Sequence, residues 1–160
     1  MSLAEMDREI GKIVQLRQFQ LNDLEQVLMI ERQSFRTPWS REMFLKELEL
    51  DFAYNRVAEL KNDKGIAGYI FCWLVLTEAT VLSLAVREDL RRQGLALYIL
   101  ETAFDDFKHK GIKEVWLEVR QTNVPARALY TRLGFEQVGI RPKYYYDSNE
   151  DAIVMRKALE

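Results

Sequence analysis

Residues 81–96, V-L-S-L-A-V-R-E-D-L-R-R-Q-G-L-A, set the terms for the rest of the chain. Val81, Leu82, Leu84, Ala85 and Val86 read as a buried strand, residues 87–90 as a charged turn, and Arg91, Arg92, Gln93 and Gly94 as a basic loop entering a helix at about Leu95. The first turn of a helix carries amide N–H groups without intrahelical partners, and the aligned peptide dipoles make that end partly positive, so an anion docks there readily. Gly94 lets the backbone approach such an anion closely, and Arg91 and Arg92 add charge. Two nucleotide-binding fingerprints also join a strand to a helix. Neither is present: no Gly precedes Gly94 at the spacing of G-x-x-x-x-G-K-[ST], and G-x-G-x-x-G is absent. The remaining pattern is Arg91-x-x-Gly94-x-Ala96, which a plain strand-to-helix turn marked by glycine also satisfies.

The residues after the loop fix the partner of its strand. Ala96, Ile99, Leu100, Ala103, Phe104 and Phe107 recur at helical spacing up to Gly111, a natural terminator. Residues 113–120 then alternate, with Val115, Leu117 and Val119 on one side and Glu114, Trp116, Glu118 and Arg120 on the other. Strand, helix and strand make a βαβ unit, whose right-handed crossover leaves its two strands parallel. Upstream, residues 13–19 read as a strand, and a helix runs from Asn22 or Asp23 to about Phe35. Arg36-Thr37-Pro38-Trp39 breaks it, and a second helix starts at Ser40 and ends near Asp51. Residues 53–60 and 66–76 form a hairpin across Asn62, Asp63 and Gly65. Downstream, Asn123 caps a short helix that ends at Leu133-Gly134, and residues 135–140 and 151–157 are a final strand pair. The expectation is an α+β domain over residues 12–160, with a mixed, mostly antiparallel sheet of about seven strands flanked by about four helices. Residues 1–11 read as a polar leader, at most a frayed helix, with nothing that demands order.

Composition narrows the partners. At 160 residues the chain suits one domain, and 23 basic against 25 acidic side chains, a net charge of −2, give no whole-molecule attraction to nucleic acid or membrane. A single cysteine, Cys72, and a single histidine, His109, cannot build a metal cluster, so no metal is expected. The charged start of the chain has no apolar run, and the longest apolar stretch, residues 67–76, is too short to span a bilayer; a cytoplasmic protein is expected.

Further pieces agree with the glycine loop. Arg91-x-x-Gly94-x-Ala96 resembles the [QR]-x-x-G-x-[GA] signature of the GCN5-related N-acetyltransferase (GNAT) superfamily. Trp116-Leu117-Glu118-Val119-Arg120, Asn123, Ala126-x-Ala128-Leu129-Tyr130-x-x-Leu133-Gly134-Phe135, Pro38-Trp39-Ser40 and Arg141-x-Lys143-Tyr144-Tyr145 resemble the protein N-terminal acetyltransferases, above all the RimI-type enzymes of ribosomal proteins and their archaeal relatives. The resemblance implies acetyl-coenzyme A as cosubstrate. Its pyrophosphate would lie on Arg91, Arg92, Gln93, Gly94, Leu95 and Ala96, with Asn123 assisting. Leu84, Ala85 and Val86 would lend backbone groups to the pantetheine arm, because in the family this strand splays from the one matching residues 116–120. Two departures stand out: Ala96 replaces the more frequent Gly, and Asp147-Ser148-Asn149-Glu150-Asp151-Ala152 is one residue longer than the usual D-G-E-D-A and lacks its Gly.

Acetyl transfer from a thioester to an amine needs a neutral amine, a place for the oxyanion, and a proton for the departing thiolate. From the residues alone Glu118 is an ordinary strand carboxylate and Tyr130 a packing tyrosine; the resemblance makes Glu118 the base and Tyr130 the acid that also contacts the coenzyme sulfur. It likewise places Tyr144, Tyr145, Phe35 and Trp39 around the first residues of a peptide, with Glu31 ordering the site. The expected acceptor is a polypeptide N-terminus, such as that of a ribosomal protein, with small first residues favoured. A small-molecule amine, a lysine side chain and a non-catalytic coenzyme-binding module remain as alternatives. His109 reads as a helix C-terminal cation, Cys72 as core.

Overall fold

The structure, a computed structural model, describes residues 2–160. Its centre is the expected βαβ unit: β4 (Glu78–Val86), α4 (Leu95–His109) and β5 (Glu114–Arg120), with the two strands parallel. The other strands are β1 (Val14–Gln18), β2 (Ala53–Leu60), β3 (Ile66–Val75), β6 (Glu136–Tyr145) and β7 (Glu150–Ala158). They complete a seven-stranded sheet ordered β1-β2-β3-β4-β5-β7-β6, every other neighbouring pair antiparallel. Successive side chains of a strand point to opposite faces. Accordingly Ile70 and Cys72 of β3 join one apolar cluster, with Ile99, Leu100, Phe104 and Phe107 of α4, while Tyr69 and Phe71 join a second. The second cluster is capped by α2 (Leu24–Ser34) and α3 (Arg41–Glu47), through Val27, Leu28, Ile30 and Phe44. The connecting helix α5 (Val124–Arg132) is capped by Asn123, whose Oδ1 accepts from the Ala126 amide at 3.3 Å, and it buries no residue fully.

The polar leader differs from expectation. Residues Leu3–Gly11 form a helix, α1, so five α-helices flank the sheet. Ser2 and Glu5 make a reciprocal capping box, each side chain meeting the other's backbone amide, at 3.1 and 2.9 Å. Ile10 is 7 % exposed within the α4 cluster, and burial of such a side chain contributes roughly 1.5–3 kcal/mol. Lys61 Nζ also donates to the Gly11 carbonyl at 2.7 Å. Three further boundaries shift: α3 ends at Glu47, β4 begins at Glu78, and β6 continues to Tyr145 through an irregular register between Arg141 and Tyr145. Among the described residues no helix is long and apolar enough to cross a membrane, and no three His, Cys, Asp or Glu side chains are grouped to hold a metal.

Candidate active site

The parallel strands part company halfway. β4 and β5 pair from Glu78 opposite Glu114 to Val81 opposite Leu117, and no further. The cause lies in β4, where Ser83 faces Phe71 and Val81 faces Cys72, so Leu82 is the extra residue of a bulge. A bulge bends its strand and re-aims the residues beyond it. β5 meanwhile stays with β7 as far as Arg120 opposite Ala152, and a cavity of about 240 Å³ opens between the diverging ends. Gly68 lets β3 follow the bent strand, since a Cβ there would stand 2.7 Å from the Ala85 carbonyl oxygen.

Leu84, Glu118, Asn123 and Tyr130 line this cavity together with Glu31, Phe35, Trp39 and Tyr145. Tyr130 is held edge-to-face against Phe135, ring centroids 5.6 Å apart, and burial first, then Tyr145 and Cys72, push its hydroxyl up to about 12. It therefore keeps its proton at neutral pH. The Glu118 carboxylate lies 3.2 Å from Arg141 Nε, with the Arg141 guanidinium 5.5 Å from the Tyr144 ring. Burial, and then that carboxylate, push the Tyr144 hydroxyl up as well.

Each wall of the cavity has an anchor. Glu31, 2 % exposed on α2, accepts from the Trp39 amide at 2.9 Å, from Tyr69 Oη at 2.5 Å and from Ser83 Oγ at 3.2 Å. It ties the α2–α3 loop to β3 and β4. On the opposite wall Arg120 grips the β6–β7 turn, donating to both oxygens of Asp147 at 2.8 and 2.9 Å and to Ser148 Oγ at 3.0 Å. Its guanidinium also lies 4.0 Å from the centre of the Tyr145 ring. Arg120 holds the Asp147 carboxyl below the usual range, and burial leads the causes that push Tyr145 up to about 12.

A second cavity, about 400 Å³, lies at the start of α4, lined by Val86, Arg91, Arg92, Gly94, Leu95 and Ala96 together with Pro125, Leu129 and Arg132. The loop is curled by two left-handed residues, Arg92 at φ 63° and Gly94 at φ 85°. Arg91 departs from the role of a free cation: its Nε donates to the Val86 carbonyl at 3.0 Å and its Nη2 to Ser34 Oγ at 2.9 Å. Its guanidinium shapes the loop, leaving Arg92 and Arg132 as charges at the cavity.

Most of the residues expected at the site thus fall around two cavities. Ala85 instead packs into the α2 cluster, Gln93 is exposed in the loop, and Tyr144 stands outside the first cavity, 44 % exposed, beside Tyr145. Sequence reading missed Leu82, Gly68 and the gripping role of Arg120. Gly68 had a signal, a glycine inside an apolar strand; the bulge at Leu82 had none. Cys72 is fully buried, where desolvation pushes its thiol up and removes it as a nucleophile, and His109 Nδ1 lies 2.7 Å from the Asp105 carbonyl in the last turn of α4.

A sheet whose two parallel strands separate over a glycine-started helix is the architecture of an acyl-transferring GNAT domain. The family model of the acetyltransferase (GNAT) family matches residues 24–135, and the chain belongs to this family; it is an acetyltransferase. Among curated proteins it is 38 % identical over 138 residues to the ribosomal protein bS18-alanine N-acetyltransferase of Escherichia coli K12, covering 83 % of this chain and 89 % of that one. It is 33 % identical over 175 residues to the N-alpha-acetyltransferase of Saccharolobus solfataricus, covering 99 % and 100 %. The crystal structure of the E. coli ribosomal-protein-S18-alanine N-acetyltransferase superposes with a TM-score of 0.85 at 34 % identity, over 92 % of this chain and 95 % of that one.

Proposed function

We propose that this acetyltransferase moves the acetyl group of acetyl-coenzyme A to the free α-amine of a polypeptide, with a ribosomal protein N-terminus as the physiological acceptor. The observation that carries the reading is the shared cavity. Glu118 and Tyr130 open into one space between the parted strands, walled by two anchored aromatic loops. The E. coli and Saccharolobus relatives support the acceptor class through the activities in their names.

Acetyl-coenzyme A supplies the activated acyl group. The residues present suit it: Arg92, Gly94, Leu95 and Ala96 would hold the pyrophosphate with the unpartnered amides of α4, and the edge of β4 freed beyond Val81 offers backbone groups to the pantetheine. Asn123 lines the first cavity, but its Oδ1 is engaged in the helix cap, leaving its amide nitrogen for a ligand. Glu118 takes the proton of the incoming amine, directly or through one water. An α-amino group has a pKa near ~8 against ~10.4 for lysine, so near neutral pH much more of it is already nucleophilic, and one carboxylate suffices. Tyr130, which lines the same cavity, would offer its O–H to the leaving sulfur. With its pKa raised to about 12, above the ~8.5 of an ordinary thiol, it stabilises the developing thiolate first as a hydrogen-bond donor, not as a group that releases its proton freely.

The test uses a ribosomal-protein N-terminal peptide containing an internal lysine, read by mass spectrometry. Acetyl should appear on the α-amine; acetyl mainly on the lysine overturns the assignment. Glu118→Gln and Tyr130→Phe should each lower turnover about 10²–10⁴-fold, the usual range for acid–base groups, and unchanged turnover in both with chemistry rate-limiting returns these side chains to structural roles.

A further inference from the structure

The N-terminal helix α1, expected at most as a frayed one, reaches the loop at Gly94. A Cβ built on Gly94, the residue that starts α4, would lie 2.7 Å from Met6 Cε and 3.2 Å from Ile10 Cδ1. α1 therefore packs directly on the glycine whose left-handed φ opens the helix. Met6 also lines the second cavity, facing Arg92, Pro125 and Arg132. The position is not an accident of a loose terminus. Ile10 is buried in the core, the Gly11 carbonyl accepts from Lys61 Nζ at 2.7 Å, and Asp7 lines one cavity with Glu101 of α4.

The chemistry of this cavity suits one kind of ligand end. Two guanidinium-bearing residues and the amides of α4 favour a diphosphate, while Met6, Pro125 and Leu129 offer an apolar surface beside it. An adenosine has a flat, polarisable ring that packs well on such a surface, and a methionine thioether is well suited to aromatic contact. We infer that α1 is a working part of the coenzyme site, with Met6 supplying the apolar wall for the nucleotide end of the coenzyme. The inference rests on the placement of the pyrophosphate at residues 91–96. The acyl end is served by other elements, so α1 distinguishes coenzyme A from its nucleotide-free fragment.

Calorimetry on the full chain tests this, with coenzyme A and pantetheine as the titrated ligands. Met6→Ala should weaken coenzyme A about 5–10-fold and leave pantetheine within 2-fold, as expected for the loss of one apolar contact. Met6→Glu, which sets a carboxylate beside the diphosphate, should weaken coenzyme A further, and that increment should shrink in 0.5 M salt. Both variants should unfold within a few degrees of the parent. Unchanged or tightened coenzyme A binding in the two variants overturns the inference, as does an equal loss for pantetheine, which would mark α1 as generally structural. Arg92→Glu separates the underlying reading: if it too leaves coenzyme A binding unchanged, the loop placement fails; if it weakens binding while the Met6 variants do not, only the role of α1 fails.

Discussion

Replacing Glu31 with alanine removes the acceptor of three hydrogen bonds at once, two of them from buried side chains. Tyr69 is fully buried and Ser83 is 6 % exposed, and burial with the neighbouring Glu31 carboxylate pushes the Tyr69 hydroxyl far up, so it remains a donor at every accessible pH. A buried donor left without a partner costs about 1–3 kcal/mol. The Trp39 amide sits on a loop beside the cavity, where water can replace the lost oxygen, so its share is small. The two hydroxyls and the lost packing of the side chain then amount to roughly 3–5 kcal/mol. For a chain of this length each kcal/mol moves Tm by roughly 2–4 °C, placing Glu31→Ala about 6–20 °C below the parent. Glu31→Gln keeps the volume but turns an amide NH₂ toward one of the three donors, and should cost about 1–3 kcal/mol. Urea unfolding followed by tryptophan fluorescence gives the stability. Steady-state kinetics gives the second half of the expectation: KM for the peptide rises because Trp39 loses its tether, while coenzyme affinity holds. A stability loss below about 1 kcal/mol for the alanine variant, or an unmoved peptide KM, refutes the anchoring role.

Arg120→Gln should loosen the β6–β7 turn by removing the paired bonds to Asp147, raising peptide KM about 10-fold with coenzyme binding within 2-fold; Arg120→Lys should recover only part, because an ammonium cannot make the two-pronged contact. Equal loss of affinity for peptide and coenzyme would contradict it. The docking of α1 should depend on pH through Glu101, pushed up to about 7 chiefly by burial and then by Asp7, with Asp105 of α4 adding to the rise and Arg132 of α5 opposing it; Lys108 and Lys157 line the same cavity. A carboxyl whose pKa is raised on folding contributes stability that is complete below its ordinary value near ~4.5 and is lost as pH climbs through the folded value. Stability of the parent relative to Glu101→Gln should therefore fall between about pH 4.5 and 7, as hydrogen exchange across residues 3–11 would show; a flat difference would refute the shared proton.

The docking of α1 could not be read from the sequence. The buried Asp7 Oδ1 has no donor unless Glu101 is protonated, a pairing between residues far apart in the chain and of like charge. Leu3, Met6 and Ile10 do recur at helical spacing, but of the nine residues only Ile10 is buried, so nothing in the sequence pointed to the helix being held down. α4 and β5 were readable for the opposite reason: seven of the fifteen residues of α4 are buried, and β5 alternates strictly. At the site, Gly94, Glu118 and Tyr130 fall in motifs singled out by resemblance, and the structure sets Glu118 and Tyr130 on one cavity and Gly94 on the other. The inward turn of Arg91 could not be read, since its partner Ser34 lies 57 residues away. β6 ran past its expected end because Pro142 and the tyrosines suggest a loop, whereas the Asp151 side chain accepts the Lys143 amide at 2.9 Å and keeps the strand attached.

The two arginines near Glu118 and Tyr145 are held with different strength, which bears on the proposed role of Glu118 as base. Arg141, 59 % exposed on its side chain, meets Glu118 through one nitrogen at 3.2 Å, a pair of the kind that contributes about 0–1 kcal/mol. Arg120 and Asp147 have side chains only 18 % and 17 % exposed and meet through two bonds, with Arg120 against the Tyr145 ring besides. An arriving α-ammonium must compete with a cation for Glu118, and the cation it can displace cheaply is Arg141. The β6–β7 turn need not open for this exchange, because its own clasp is the firmer one. In the proposed role of Glu118 as base, Arg141 would keep it paired while the cleft is empty and give way to the incoming amine.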